Sequence, residues 1–208
     1  MQEPNEAAVA AALLALNRGE VIVYPTETLY GLGADALNCA AVDRVFQLKG
    51  RQPDSPFPVL VSDETMLREI VCDVCPLAMV LMKSFWPGPL TLVLPARPEI
   101  PRPLVSATGG VGVRISSQPL AMKLVKQLRH PLTATSANPS GREPARTLPQ
   151  AESYFAGRVN IFLDGGTLAS KTGSTVTEVQ GDRLRIIREG DIGVGALERV
   201  VGKEHLSR

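Results

Sequence analysis

Apolar positions along this chain alternate between two rhythms. From Asn5 to Gly19, Val9, Leu13 and Leu16 return on one helical face, with Asn5 placed to cap the first turn and Gly19 to end the last. Val21 to Tyr24 is a short continuous apolar run closed by Pro25, which predicts a buried strand. Asn38 then opens a helix that sends Val42, Val45, Phe46 and Leu48 to the core and releases Lys49 and Arg51 at its end. Pro58 to Val61 predicts a strand, Ser62 or Asp63 caps another helix, and Pro76 to Phe85 gives one more. Leu90 to Leu94 is a strand between Pro89 and Pro95, and the four prolines from Pro95 to Gly110 predict a loop. Val111 to Ile115 predicts a strand, Pro119 to Leu128 a helix, and Leu132 to Thr135 a strand. Asn138 to Thr147 reads as a mobile polar loop, and Ile161 to Leu163, Ser174 to Val179 and Leu184 to Arg188 complete the strands. Helices and strands alternate through the first two thirds, and the last third reads as strand-rich. The pattern predicts an α/β fold built on a mixed open sheet with flanking helices.

Composition narrows the class. The 208 residues suit one domain, spanning 1–208 with a core from about 8 to 201 and a frayed C-terminal tail. Hydrophobic residues are 44% and aromatics only 4%, so the core is aliphatic and stacking platforms for single-stranded nucleic acid are few. A net charge of +1 gives no global pull toward nucleic acid, so any basic patch is local. Three cysteines leave no fully paired disulfide set, the first residues do not read as a secretory leader, and no apolar run is long enough to span a membrane. A soluble cytoplasmic protein with no membrane partner is expected.

The candidate chemistry sits at strand ends, where a packed scaffold presents ligand groups. Pro25-Thr26-Glu27-Thr28-Leu29-Tyr30 follows the first strand directly. Its side chains serve either a hydrogen-bonded turn or a ligand. Arg114 falls at an alternating position in an apolar strand, and a cation there needs an anionic partner. Arg188 repeats that placement, while Ser136 and Asn138 offer a hydroxyl and an amide just past another strand. Converging, such groups suit a polyanion such as a nucleotide.

Other motifs fail on context. Gly165 to Thr172 departs from a phosphate-binding loop at Ser170 and precedes a β-branched run, so it reads as a flexible loop. Gly31-Leu32-Gly33 lacks a third glycine and no helix begins there, so it reads as a place where the backbone turns tightly past a ligand or another strand. Cys72 and Cys75 have too few companions for zinc, and His130 and His205 are badly placed for nucleophilic catalysis, so no metal site built by the protein is expected.

Taken in order, these segments resemble the Sua5/YrdC family, the threonylcarbamoyl-AMP synthases, in its short form. The resemblance runs from about Gly19 to Gly193. It rests on Pro-Thr-Glu-Thr-Leu-Tyr-Gly-Leu-Gly at 25–33, Lys-Gly-Arg at 49–51, Trp-Pro-Gly-Pro-Leu-Thr at 86–91 and Val-Arg at 113–114. Ser-Ala-Asn-Pro-Ser-Gly at 136–141, Ser-Thr-Val at 174–176 and Arg-Glu-Gly at 188–190 complete it. The resemblance implies a twisted open α/β sheet around a basic cavity. It implies that Lys49, Arg51, Ser136 and Asn138 form the catalytic tetrad. It also implies that Thr28 touches the amino-acid substrate, Arg114 pairs with its carboxylate, and Thr26, Tyr30 and Thr133 lie on that side. Ser136, Ser174 and Arg188, with Lys49 and Arg51, would hold the nucleotide. Two positions depart from some members of the family: Leu60 replaces a histidine and Ala145 a serine.

The resemblance further implies that L-threonine, bicarbonate or CO2, and ATP give threonylcarbamoyl-AMP and pyrophosphate, with Mg2+ carried on the ATP phosphates. The product would pass to a tRNA threonylcarbamoyl transferase for modification of adenosine 37. Such a step needs positioning and charge neutralisation more than a protein nucleophile. Glu27 is the nearest candidate general base. The competing readings are a diverged YrdC-like protein that binds nucleotide without this reaction, and an RNA-binding module using the same basic cavity, with tRNA as its partner.

Overall fold

The computed structural model describes residues 5–51 and 56–207. In chain order, α1 (Glu6–Asn17) leads into an antiparallel pair, β1 (Ile22–Pro25) and β2 (Tyr30–Gly33), and then α2 (Cys39–Lys49). Next come β3 (Val59–Leu60), α3 (Glu64–Ile70), α4 (Pro76–Phe85), β4 (Leu90–Pro95) and β5 (Gly110–Arg114). After α5 (Pro119–Leu128) the short strands β6 (Leu132–Thr133) and β7 (Thr135–Ser136) precede α6 (Leu148–Phe155) and β8 (Ile161–Phe162). The chain closes with β9 (Thr175–Gln180), β10 (Arg183–Arg188), α7 (Val194–Val201) and β11 (Leu206–Ser207).

Local chemistry sets the helix ends. Asn5, Asn38 and Asp63 each accept a hydrogen bond from a first-turn amide of α1, α2 and α3, satisfying donors that the helix leaves unpaired. Gly50 ends α2 in the left-handed conformation (φ 60°), which turns the chain so that Arg51 leaves beside Lys49.

The strands form two mixed sheets. One has the order β7-β2-β1-β8 and the other β11-β10-β9-β4-β5-β3-β6. In the larger sheet β4 runs parallel to β9 and antiparallel to β5. The core is aliphatic, as composition required, and its largest fully buried side chains include Tyr24, Tyr30, Phe57 and Phe155.

The α/β class with mixed open sheets and flanking helices holds, and four details differ from the sequence reading. Tyr30–Gly33 is a strand: Gly33 and Gly31 lie across from Ile22 and Tyr24, and a Cβ at Gly33 would stand 2.8 Å from the Tyr24 ring. Those glycines let two strands close over a tyrosine. The last third also carries α6 and α7, which bury Ala151 and Phe155, and Leu197 and Val201. The tail expected to fray is paired where it is described. Leu206 and Ser207 pair with Leu184 and Arg185 of β10. The polar loop at 138–147 is tied to α2 and β2: Ser140 N donates to Lys49 O at 2.8 Å and Tyr30 N to Ala145 O at 3.0 Å.

Candidate active site

A cavity of about 640 Å3 is lined by residues of both sheets. Its floor is one face of the larger sheet, because alternate residues of a strand share a face. Thr91 and Val93 on β4, and Gly110, Gly112 and Arg114 on β5, line it, as does Val176 of β9 with Ser174 just before it. The two glycines keep the floor low: a Cβ at Gly110 would fall 2.5 Å from Val93 Cγ1. The smaller sheet supplies Tyr30 and Gly31 from β2 and Ser136 from β7, and the turn before β2 supplies Thr26 and Thr28.

The turn after β1 is built from its own hydroxyls. Thr26 Oγ1 accepts from the amides of Thr28 and Leu29, both at 3.2 Å, and shares a 2.9 Å hydrogen bond with Thr28 Oγ1. Glu27 reaches across to the larger sheet, where Arg114 Nη1 donates to its Oε1 at 2.8 Å and the Ser116 hydroxyl donates to its Oε2. Arg114 is 3% exposed and its Nε is buried without a partner. Thr28 Oγ1 lies 3.5 Å from Arg114 Nη1, so turn and cation form one corner.

A second corner forms around Ser136. The Lys49 ammonium donates to Ser136 O at 2.6 Å and to Asn138 O at 2.9 Å, and lies 3.4 Å from Asn138 Oδ1. Ser136 Oγ donates to the same Asn138 Oδ1 at 2.6 Å, and the Asn138 amide donates to Pro139 O and Arg142 O. Ser136 and Arg51 reach the cavity wall, with Lys49 and Asn138 directly behind them. Burial, reinforced by the Arg51 charge, pushes the Lys49 ammonium down to about 7.

The third corner joins Arg188 to Ser174. Arg188 Nη2 donates to Ser174 O at 2.8 Å and lies 3.3 Å from its Oγ, which accepts from Thr91 Oγ1 at 3.0 Å. Burial and then the neighbouring Arg114 charge lower the Arg188 guanidinium. Arg51 is lowered by burial and then by Arg188. The Arg51 charge thus bears on Lys49, Arg188 on Arg51 and Arg114 on Arg188, and Glu27 pairs with Arg114. Cations gathered around one cavity in this way suit a polyanion.

Not every residue picked from sequence faces the cavity. Thr133 is fully buried, donating from Oγ1 to Leu32 O at 3.0 Å and accepting from Ala34 N at 2.9 Å, so its hydroxyl is used by the sheet. Tyr30 lines the wall, while its hydroxyl donates to Gly166 O at 2.8 Å and accepts from Gly165 N at 2.9 Å. Burial pushes that phenol up to about 12. The Gly165–Thr172 loop, expected to be flexible, is pinned: Ser170 and Thr172 hydroxyls donate to Asp191 Oδ1 at 2.7 and 2.6 Å. Leu60 and Ala145 are both fully buried in the core.

Sequence reasoning passed over Thr91, Arg185 and Ile187, which also line the cavity. On β10 a register shift between Ile186 and Arg188 breaks the simple alternation, so the adjacent Ile187 and Arg188 both reach the cavity and a two-residue period could not have found both. Among the described residues no group of three or more His, Cys, Asp or Glu side chains comes together as a metal site. All three cysteines are free, and no described helix is long and apolar enough to cross a membrane.

Comparison with known proteins gives this geometry a context. Residues 14–190 match the model of a family named Sua5, YciO and YrdC, whose description reads telomere recombination. A Bacillus subtilis protein named threonylcarbamoyl-AMP synthase is 36% identical over 205 residues, covering 98% of this chain and 59% of the relative. A Mycobacterium tuberculosis protein named putative threonylcarbamoyl-AMP synthase is 33% identical, covering 99% of this chain and 94% of its own length. The crystal structure of Pyrococcus abyssi Sua5 complexed with L-threonine superposes with a TM-score of 0.94 at 32% identity, covering 99% of this chain and 61% of that one. The chain therefore spans about three fifths of the length of two of these relatives.

Proposed function

Because this chain belongs to the Sua5/YciO/YrdC family, we propose that its cavity joins L-threonine, bicarbonate or CO2, and ATP into threonylcarbamoyl-AMP, releasing pyrophosphate. The observation that carries the proposal is the cluster of Lys49, Arg51, Arg114 and Arg188 around one cavity, with Glu27 paired to Arg114. A triphosphate and a carboxylate together answer that charge.

The amine of threonine adds to CO2 and gives up a proton to solvent water, leaving a carbamate. One carbamate oxygen then attacks the α-phosphorus of ATP, the bond from that phosphorus to the bridging oxygen breaks, and pyrophosphate leaves. Arg114, held by Glu27 and with Nε unpaired, is suited to the threonine carboxylate, with the Thr28 hydroxyl beside it. Arg51, Arg188, Ser136 and Ser174 are suited to the phosphates, whose charge grows on the leaving group. Lys49 and Asn138 keep Ser136 in place and add charge from behind the wall. Both Glu27 oxygens are engaged, so it acts by orienting Arg114 rather than as a general base. Mg2+ would arrive on the ATP phosphates as part of the substrate, since no described cluster of side chains builds a site for it.

The adenylate would then pass to a tRNA threonylcarbamoyl transferase acting on adenosine 37. Pyrophosphate release from ATP tests the reading, with threonine and bicarbonate omitted in turn. Release that requires both supports the synthase. Nucleotide binding without such release makes the chain a diverged nucleotide-binding relative instead.

A further inference from the structure

A second cavity lies behind the sheet that floors the first. Its volume is about 390 Å3, within the usual range of small-molecule sites. Ile115, the residue after β5, lines it, whereas Gly112 and Arg114 of β5 line the active cavity. Neighbouring residues of an extended chain face opposite ways, so the two cavities stand back to back across β5. Hydrogen bonds fix the wall between them: Gly88 N donates to Ile115 O at 2.9 Å, and Trp86 Nε1 donates to Leu90 O at 2.7 Å. Leu67 of α3 and Met82 of α4 are buried at the bottom, and Met79 of α4, 47% exposed, stands at the mouth.

Six of the ten lining residues are aliphatic and one, the half-buried Trp86, is aromatic. The other three are charged. Arg68 and Lys83 are exposed at the rim, and neither has an ion pair among the described residues. Glu64 stands one helical turn before Arg68, so the rim carries one net positive charge. Glu64 would repel a second negative charge, which turns a polyphosphate away and leaves room for a single anionic head. Below the rim, burial of aliphatic surface supplies the attraction, and the two unbranched methionines adapt to the shape of a chain.

We propose that this second cavity binds a small monoanion with an aliphatic tail, a medium-chain carboxylate. Its tail lies against Leu67, Met82 and Ile115, and its head lies beside Arg68 and Lys83. The site is separate from the proposed reaction and does not depend on it, since a ligand behind β5 leaves the active cavity open.

Trp86 is the one tryptophan of the chain, so its emission reports on this cavity directly. The full chain is titrated with octanoate, 1-octanol and octylammonium while Trp86 fluorescence is followed. Octanoate is expected to give a saturable blue shift and to bind about fivefold or more tighter than octylammonium, the size of two partly exposed charge contacts. Octanol is expected to fall between them. Arg68→Ala combined with Lys83→Ala is expected to remove the preference for octanoate, and both positions are exposed, so the fold survives the change. Met79→Glu sets a second carboxylate at the mouth and is expected to reverse the preference in favour of octylammonium. Saturating ATP is expected to leave the octanoate titration unchanged. No saturable shift with octanoate, equal binding of all three probes, an unchanged preference in the double variant, or displacement of octanoate by ATP overturns the site.

Discussion

Burial, and then the neighbouring like charge, lowers Arg51 beside Arg188 and Arg188 beside Arg114. A polyphosphate relieves that repulsion, so Arg51→Ala is expected to lower adenylate formation on the order of 10²-fold, the usual loss of one charge-stabilising group. Steady-state pyrophosphate release checks this, with a circular dichroism spectrum to show the fold intact. Lys49 carries a pH signature. Its folded pKa of about 7 lies below the 10.5 of the free side chain, so the unfolded chain binds more protons between those values and stability rises with pH across that window. A bound anion reverses the shift. At pH 8, ATP binding is expected to take up a proton, seen as a calorimetric enthalpy that changes with the buffer's ionisation heat and is lost in Lys49→Met. A binding heat identical in all buffers counts against this role. Arg114 and Arg188 were legible in sequence because a cation in an apolar strand demands an anion. Glu178 was not, since Thr-Val-Thr-Glu-Val-Gln at 175–180 alternates like a half-exposed strand, and of the donors to its carboxylate only Gln180 is near in sequence, with Thr108 distant and Arg185 across the hairpin.

The elements owe their placement to a few close backbone approaches. Gly190 sits where a Cβ would stand 2.4 Å from Gly173 O and 2.5 Å from Ser174 C, so the segment after β10 packs directly on the backbone that presents Ser174. Backbone cannot swing aside like a flexible side chain. Gly190→Ala is expected to destabilise by about 1–3 kcal/mol and to weaken nucleotide binding through displaced Ser174. Thermal denaturation and ATP titration read the two effects, and an unchanged melting temperature contradicts the packing argument. The same kind of contact hid β2 from sequence: two glycines in four residues read as a turn, yet they are what lets the strand lie on Tyr24. The helices α6 and α7 were missed for another reason. Each is 8 residues long, and only two side chains of each are buried, too few to mark a period. The longer capped helices α1, α2 and α5 were plain, because Asn5, Asn38 and Pro119 announce their starts.

Across the whole molecule, a chain with net charge of +1 gathers its cations where two sheets face one cavity. Attraction of a nucleotide is therefore local, and it is expected to weaken as salt rises, though less than for a fully exposed patch, since buried charges are screened less. ATP titrations from low to high ionic strength read that slope. The alternation of helices and strands disclosed the α/β class. It did not disclose that the strands divide into sheets of four and seven, because pairings such as β4 with β9 join segments far apart in the chain. The central claim is that this cavity makes a carbamoyl adenylate. The direct measurement is mass spectrometry of the product formed from ATP, L-threonine and ¹³C-bicarbonate. The expected result is threonylcarbamoyl-AMP carrying one ¹³C atom, formed together with pyrophosphate. An unlabelled threonyl adenylate, or ATP left intact while bound, would contradict it.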